Sequence, residues 1–389
     1  MRERGFVLTP TYRVARGRAE VHLHAVMEGG EAAVIVDDRM KPYFFVRRRE
    51  AEAARRGGGR VVESGLRTLD GETVARVEGE LPQELSRVRD SLEARGVECF
   101  EADLRFASRY LIDRGIRGAF SVEGAFERRG AVGRVYRNPR IEGAHFVPRL
   151  RVLSLDIETS LDGERLYAIG VAGAGGERVF LLRDGNPGLP GYVEVFGEEG
   201  ALLARFLEHV READPDVLTG WSLPDFDLPA LQRYCRRAGL VCALGRTREE
   251  VVLRRDPGFT REGRAVLSGR VVLDGLALVR GAFVRLDDYR LETAAQALLG
   301  RGKLLGPDGK GASIEAAYRD DPALLCEYNL EDARLVLEII EKAGLVELTV
   351  RRSLLTGMPL DRVSALPAEY PAWMADFQAR DRFVEGAER

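Results

Sequence analysis

Between residues 151 and 182 three short apolar runs follow one another with only turns between them: RVLSL (151–155), LYAIGVAG (166–173) and RVFLL (178–182). Runs of this length, rich in Val, Ile, Leu and Phe, read as β-strands. A longer stretch, ALLARFLEHVREA (201–213), then places Leu202, Leu203, Phe206, Leu207 and Val210 on one stripe, the mark of an amphipathic helix. A strand VLTGW, a helix from about 227 to 238 and a strand–turn–strand around 256–265 follow. Helices return at LETAAQALLG and over about 322–342. Three adjacent strands, followed by alternating helix and strand, predict an α/β domain with a mixed sheet.

The front of the chain is β-rich. VHLHAV alternates Val21, Leu23 and Ala25 against His22 and His24, and AAVIV and PYFFV (42–46) read as two further strands. The two histidines are expected on a wet strand face, because no third ligand lies near them in sequence. RRREAEAARRGGGR (47–60) reads as a solvated helix end and loop, with a phosphate-facing patch as the alternative. A helix is expected over 81–96, stopped by Gly96. The Gly-, Arg- and Pro-rich stretch from 130 to 148 reads as a linker.

At 389 residues the chain has room for two or three domains, and 45% apolar with 31% charged side chains excludes a disordered or collagen-like chain. No apolar run approaches a membrane span and the N-terminus has no signal-peptide core, so a cytoplasmic location is expected. The four scattered cysteines make neither a disulfide framework nor a zinc spacing. The net charge of −3 hides an asymmetry: residues 1–150 sum to +5 and the rest to −8, which directs attention to the acids of the rear part.

Three acidic segments stand out. In LSLDIETS the strand runs directly into Asp156 and Glu158, which share a face about 7 Å apart. Two carboxylates on one face of a buried strand repel each other, and a divalent cation between them would offset that. Alternatively the strand has simply reached the surface. In WSLPDFDLPAL, Asp227 precedes a helical pattern, where it serves as an N-cap or as a carboxylate aimed out of the sheet's edge. In CEYNLEDARLVLEII, Tyr328 and Asp332 are spaced i, i+4 and lie on one helix face, either exposed or as a phenol beside a carboxylate that positions a water. Glu331 projects about 100° away.

Each segment alone is weak, but together they supply four carboxylates and one tyrosine. Two Mg²⁺ ions would neutralise four acids, and magnesium prefers oxygen ligands drawn from a few carboxylates. Such a pair serves phosphodiester hydrolysis. No Ser-His-Asp or Cys-His set competes, since none of the four histidines has a catalytic context.

At these residues the chain resembles the family B DNA polymerases, in particular their bacterial DNA polymerase II branch. The three acidic segments look like that family's three exonuclease motifs, in order. Further resemblance lies in KPYFFV (41–46), EADLRFASRYLIDRGI (101–116), DPDVLTGW (214–221), GRVVLDGLALV (269–279), RLETAAQALLG (290–300) and TGMPLDRV (356–363). The resemblance implies a family N-terminal domain over 1–148 and a ribonuclease-H-like 3′→5′ exonuclease of the DEDD type with tyrosine over 149–345. A C-terminal extension follows over 346–389. It implies Asp156, Glu158, Asp227 and Asp332 as metal-binding carboxylates for two Mg²⁺ (or Mn²⁺) and Tyr328 as the residue positioning the attacking water. Ser222 and Phe226 would contact substrate. The strand–turn–strand near 250–273 would match a hairpin that moves the primer end between sites.

Two departures accompany the resemblance. Where the second motif usually carries asparagine, this chain has Ser222, and no polymerase motif occurs, so polymerisation is not expected from this chain alone. The implied partner is DNA with a single-stranded or mismatched 3′ end, with a separately encoded polymerase subunit or a sliding clamp as a further partner and no membrane. The alternatives are a non-catalytic DNA-binding or assembly subunit of a split polymerase, or the product of a truncated gene.

Overall fold

The computed structural model describes residues 2–185, 188–255, 263–304 and 310–363. The front part forms two sheets. In the larger, seven strands run in the order Arg140–Gly143, Ala119–Glu123, Arg2–Ala15, Arg18–Met27, Ala32–Asp37, Arg134–Arg137 and Phe126–Arg128. The strand Tyr43–Arg47 belongs instead to a separate four-stranded sheet, where Phe44 and Val46 pack against Leu85 and Leu92 of the helix Pro82–Glu93.

Two expectations for this part need correction. The stretch read as a linker holds two strands of the larger sheet, the parallel partner of Ala32–Asp37 and an edge strand. Four-residue strands at or near a sheet edge, with arginines exposed on one side, carry too little periodicity to be seen in sequence. His24 is not on a wet face: it is buried, and burial pushes its pKa down to about 3. The reason is that this face is covered by the rear part of the chain, through Thr9 Oγ1 donating to the Arg270 carbonyl at 2.9 Å and an Arg13–Glu249 ion pair. The basic segment 47–60 forms a short helix followed by a loop and the start of a strand, as the reading of a solvated helix end expects, and its arginines pair with Glu72, Glu98, Glu63 and Glu52.

The rear part is built on an eight-stranded mixed sheet. Its order is Val193–Phe196, Arg178–Leu182, Leu166–Gly173, Val152–Thr159, Val217–Thr219, Arg270–Val272, Gly263–Leu267 and Val252–Arg255. The first three predicted strands pair antiparallel, while Val152–Thr159 runs parallel to Val217–Thr219, as a helical crossover between them requires. Val252–Arg255 and Gly263–Leu267 are antiparallel neighbours, as the predicted strand–turn–strand expects; their connecting turn lies outside the described residues.

Helices cover both faces, and strand alternation decides which residue meets which helix. Leu153, Leu155 and Ile157 join a core with Leu202, Leu203 and Phe206 of the helix Glu199–Ala213 and with Leu228 and Leu231 of the helix Asp227–Arg237. The residues between them, Ser154, Asp156 and Glu158, therefore face the opposite side. There the 21-residue helix Pro322–Lys342 lies across the sheet, its Leu330 and Ala333 against Ala168, Ala172 and Val179. Small residues on the strand Leu166–Gly173 let that helix come close: a Cβ on Gly170 would lie 2.8 Å from both the carbonyl and the side-chain oxygen of Asn329.

Candidate active site

That close approach creates the site. Gly170 pairs with Asp156 across the sheet, so the point where the helix touches the strand is also where the strand turns acidic. Asp156, Glu158 and Asp332 each bring a carboxylate oxygen to within 4.8 Å of the other two. Glu158 and Asp332 are buried and Asp156 is half-buried. Asp227, first residue of its helix and also buried, reaches the same strand from its end: its Oδ1 accepts the Ile157 N–H at 3.3 Å. It therefore caps the carboxylate-bearing strand and not only its own helix.

The electrostatics follow from that crowding. Burial, and then the charge of Asp332, push the Asp156 pKa up to about 7, against the opposing pull of Lys303 and Asn329. Glu158 is raised well above the usual carboxylate range by burial and by the charges of Asp156 and Asp332. Asp227 is raised by burial and by Asp156. Groups that resist ionisation to this degree, gathered in one groove, are the pattern expected of a functional site.

Two side chains organise the cluster that the sequence reading missed. Asn329 Nδ2 donates to Asp156 Oδ2 at 2.8 Å and to the Asp156 carbonyl at 3.2 Å, fixing the carboxylate's orientation. Lys303 points its ammonium into the same space, pairing with Asp332 and donating to the Tyr328 hydroxyl at 3.0 Å. Burial alone would lower the lysine's pKa, but Asp332, Asp156 and Tyr328 hold it above its ordinary value. Tyr328 is buried, and burial with the Asp332 charge raises its phenol, so it keeps its proton at neutral pH. Asn329 adjoins Tyr328 in sequence and was open to the same helical argument. Lys303 lies in a Gly-rich connection 25 or more residues from every acid of the cluster, with no local signal.

Comparison with known proteins identifies the family. A family model described as DNA polymerase family B, exonuclease domain, matches residues 97–294, just over half of the chain. This chain belongs to the family B DNA polymerases. It is 33% identical to DNA polymerase II of Escherichia coli (strain K12) over 286 residues, which is 72% of this chain and 36% of that protein. Against a DNA polymerase of Pyrococcus glycovorans it is 30% identical over 295 residues, covering 73% of this chain and 33% of the relative. The family B DNA polymerase from the hyperthermophilic archaeon Pyrobaculum calidifontis superposes with a TM-score of 0.78 at 26% identity, over 97% of this chain and 50% of that one. The chain thus spans about a third of the length of the curated relatives it matches. The sequence-based expectation of a family B exonuclease region on a ribonuclease-H-like fold holds.

Within this family B site the remaining expected residues sit on the loop between Val217–Thr219 and the Asp227 helix. Ser222 adopts a left-handed backbone, φ 61°, and its carbonyl accepts the N–H groups of Asp225 at 3.0 Å and Phe226 at 3.2 Å. Phe226 is 71% exposed beside Asp227. Asp274 Oδ1, accepting the Leu223 N–H at 2.9 Å, and the Trp221 indole, donating to the Tyr289 carbonyl at 3.0 Å, hold the loop. Glu331 turns away and pairs with Arg301 and Arg334, as its helical position predicts. Among the described residues no helix is long and apolar enough to cross a membrane.

Proposed function

We propose that this chain is a cytoplasmic, metal-dependent 3′→5′ exodeoxyribonuclease of the proofreading type, acting on DNA with a single-stranded or mismatched 3′ end. The observation that carries the reading is the convergence of Asp156, Glu158 and Asp332, with Asp227 at the strand end, in a groove shared with a protonated tyrosine. The donors fit hard divalent cations: they are all oxygen, they repel one another, and among the described residues Lys303 is the one cation paired into the cluster. Asp156, Glu158, Asp227 and Asp332 would hold two Mg²⁺ (or Mn²⁺), which supply water activation and stabilisation of the departing 3′ oxygen.

The chain's own residues prepare that chemistry. Asn329 keeps Asp156 in one orientation, so the carboxylate needs no reorganisation when ligand arrives. The Tyr328 hydroxyl accepts from Lys303, which leaves its own proton free to donate to the oxygen of an attacking water. Lys303 favours the ionised forms of Asp332 and Asp156, the forms able to hold a cation. Phe226 offers an exposed aromatic face on which a terminal base can stack. A separately encoded polymerase subunit or sliding clamp that delivers the primer end completes the reading, and co-elution of the purified proteins tests it.

Purified protein with Mg²⁺ should shorten a 5′-labelled single strand from its 3′-OH end and release nucleoside monophosphates. Asp332→Ala should lower the rate by at least about a thousandfold, and Tyr328→Phe by about ten- to a hundredfold. Wild-type protein that binds the strand but leaves it intact with Mg²⁺ and Mn²⁺ would refute the enzyme and favour a non-catalytic DNA-binding subunit.

A further inference from the structure

The loop that leads into Asp227 is anchored at both of its halves, by different parts of the chain. Its first half is held by the Trp221 indole on the Tyr289 carbonyl and by Asp274 on the Leu223 N–H. Its second half, next to Asp227, is held from the outer strands of the sheet. Asp225 Oδ1 accepts the N–H of Gly263, the first residue of the strand Gly263–Leu267, at 3.0 Å. A Cβ on Gly263 would run into that same oxygen and lie 3.1 Å from the Asp225 Cγ and 3.2 Å from the Pro224 carbonyl oxygen. Asp225 is exposed and has water to turn to, yet its carboxylate lies against a backbone where only glycine leaves it room.

The anchoring strand is itself fixed. Ala265 and Leu267 share a core with Leu223 of the loop and with Leu228 and Leu231 of the Asp227 helix, and Arg264 pairs with Asp361 of the short helix Leu360–Val363 at 3.7 Å. Asp227 needs such support from its backbone. The Asp156 carboxylate is oriented by the Asn329 amide at 2.8 Å, whereas the Asp227 carboxylate meets the Ile157 N–H only at 3.3 Å, a long contact that does little to fix its direction. Its placement therefore depends on where the loop sets the start of the helix, and Phe226 alone separates it from Asp225.

Resting on the reading of Asp227 as a ligand of divalent ions, we infer that Asp225 is a positioning residue of the site: through Gly263 it ties the end of the loop, and with it the Asp227 carboxylate, to the outer strands of the sheet. Part of the site's affinity for divalent cations is thus set by a contact outside the carboxylate cluster.

The test is calorimetric titration of the full chain with Mn²⁺ in the absence of DNA, with exonuclease rates against Mg²⁺ concentration as a second readout. Asp225→Ala should weaken Mn²⁺ binding about tenfold and raise the Mg²⁺ concentration for half-maximal rate on a single strand by the same factor, with kcat at saturating Mg²⁺ within about threefold. Asp225→Asn keeps an oxygen for the Gly263 N–H and should bind Mn²⁺ as the wild type does; a loss equal to that of Asp225→Ala would make the charge, and not the contact, responsible and would overturn the inference. Gly263→Ala breaks the same contact from the other side and should match Asp225→Ala. The double variant should be no worse than either single one, because the added methyl group no longer meets a carboxylate. Additive losses, or an Asp225→Ala chain with wild-type Mn²⁺ affinity, would overturn the inference while the nuclease reading stands. A wild-type chain that binds no Mn²⁺ would remove that reading and the inference with it. Thermal midpoints in EDTA are the folding control: a lower midpoint for Asp225→Ala with unchanged Mn²⁺ affinity would leave the contact a purely structural one and overturn the positioning role.

Discussion

Asp156→Asn turns the crowding of the carboxylates into a measurable stability change. In the folded protein the Asp156 pKa is raised to about 7, against about 3.9 for an aspartate in an unfolded chain. A raised acid favours folding while protonated, so its contribution is present below about pH 4 and is lost as pH rises toward 7. The full difference corresponds to about 4 kcal/mol. Asp156 is partly open to the groove, so solvent screening reduces this to about 2 kcal/mol. Asparagine never ionises, yet its oxygen still accepts from Asn329 Nδ2, so the variant escapes the loss and keeps the contact. Thermal melts in EDTA at pH 8 should place Asp156→Asn about 3 °C above wild type, and the gap should shrink by more than half at pH 5. Mg²⁺ at pH 8 should raise the wild-type midpoint and do little for the variant. A variant no more stable than wild type at pH 8 in EDTA, or a gap equal at both pH values, would refute the crowding itself.

Other substitutions probe the parts around that acid. Lys303→Met removes the cation that favours ionised Asp332 and Asp156, so the acidic limb of the rate profile should move up by about one pH unit, with kcat reduced; a profile merely scaled down would show that the lysine only supports the fold. Gly170→Ala puts a methyl group 2.8 Å from Asn329 and must push the helix off the strand, costing about 2 kcal/mol in denaturant melts and most of the activity. Ser222→Asn places a residue tolerant of the left-handed region at φ 61°, so it should stabilise the chain by about 0.5 kcal/mol and lower KM on single strands; an unchanged melt would argue against strain at this position.

Legibility followed burial and period. The expected strands at 151–155, 166–173 and 178–182 appear as Val152–Thr159, Leu166–Gly173 and Arg178–Leu182, and the helices at 201–213 and 322–342 appear as Glu199–Ala213 and Pro322–Lys342. The helix Glu199–Ala213 buries one stripe in one core, and the strands are short apolar runs bounded by turns, so their pattern survives in a local window. The strands Arg134–Arg137 and Arg140–Gly143 were not legible, because four residues near a sheet edge express neither period. His24 was misread because the polar-looking face of its strand is covered by segments more than 200 residues away in sequence, and no local window contains them.

The site divides along the same line. Asp156, Glu158, Tyr328 and Asp332 were legible because one period-2 strand and one 3.6-period helix place each pair on one face, and the structure turns those faces toward each other across Gly170. The alternation of Leu153, Leu155 and Ile157 puts the acids on the other face, but the sequence could not show that the helix Pro322–Lys342 covers that face. Nor could it show Lys303, which reaches the cluster through tertiary proximity alone. Its presence changes the charge argument. Counted from sequence, the four acids carry −4; with the buried ammonium among them the cluster carries −3. With every acid ionised, one divalent ion leaves that set one charge short of neutral and two carry it one charge past, so the charge count still has room for a second cation beside Lys303. Removing the ammonium returns the set to four uncompensated acids, so a Lys303→Met chain should bind Mg²⁺ more tightly at pH 8, where its acids are ionised, and less tightly at pH 6, where they hold protons; an affinity unchanged from wild type at both pH values would contradict this count.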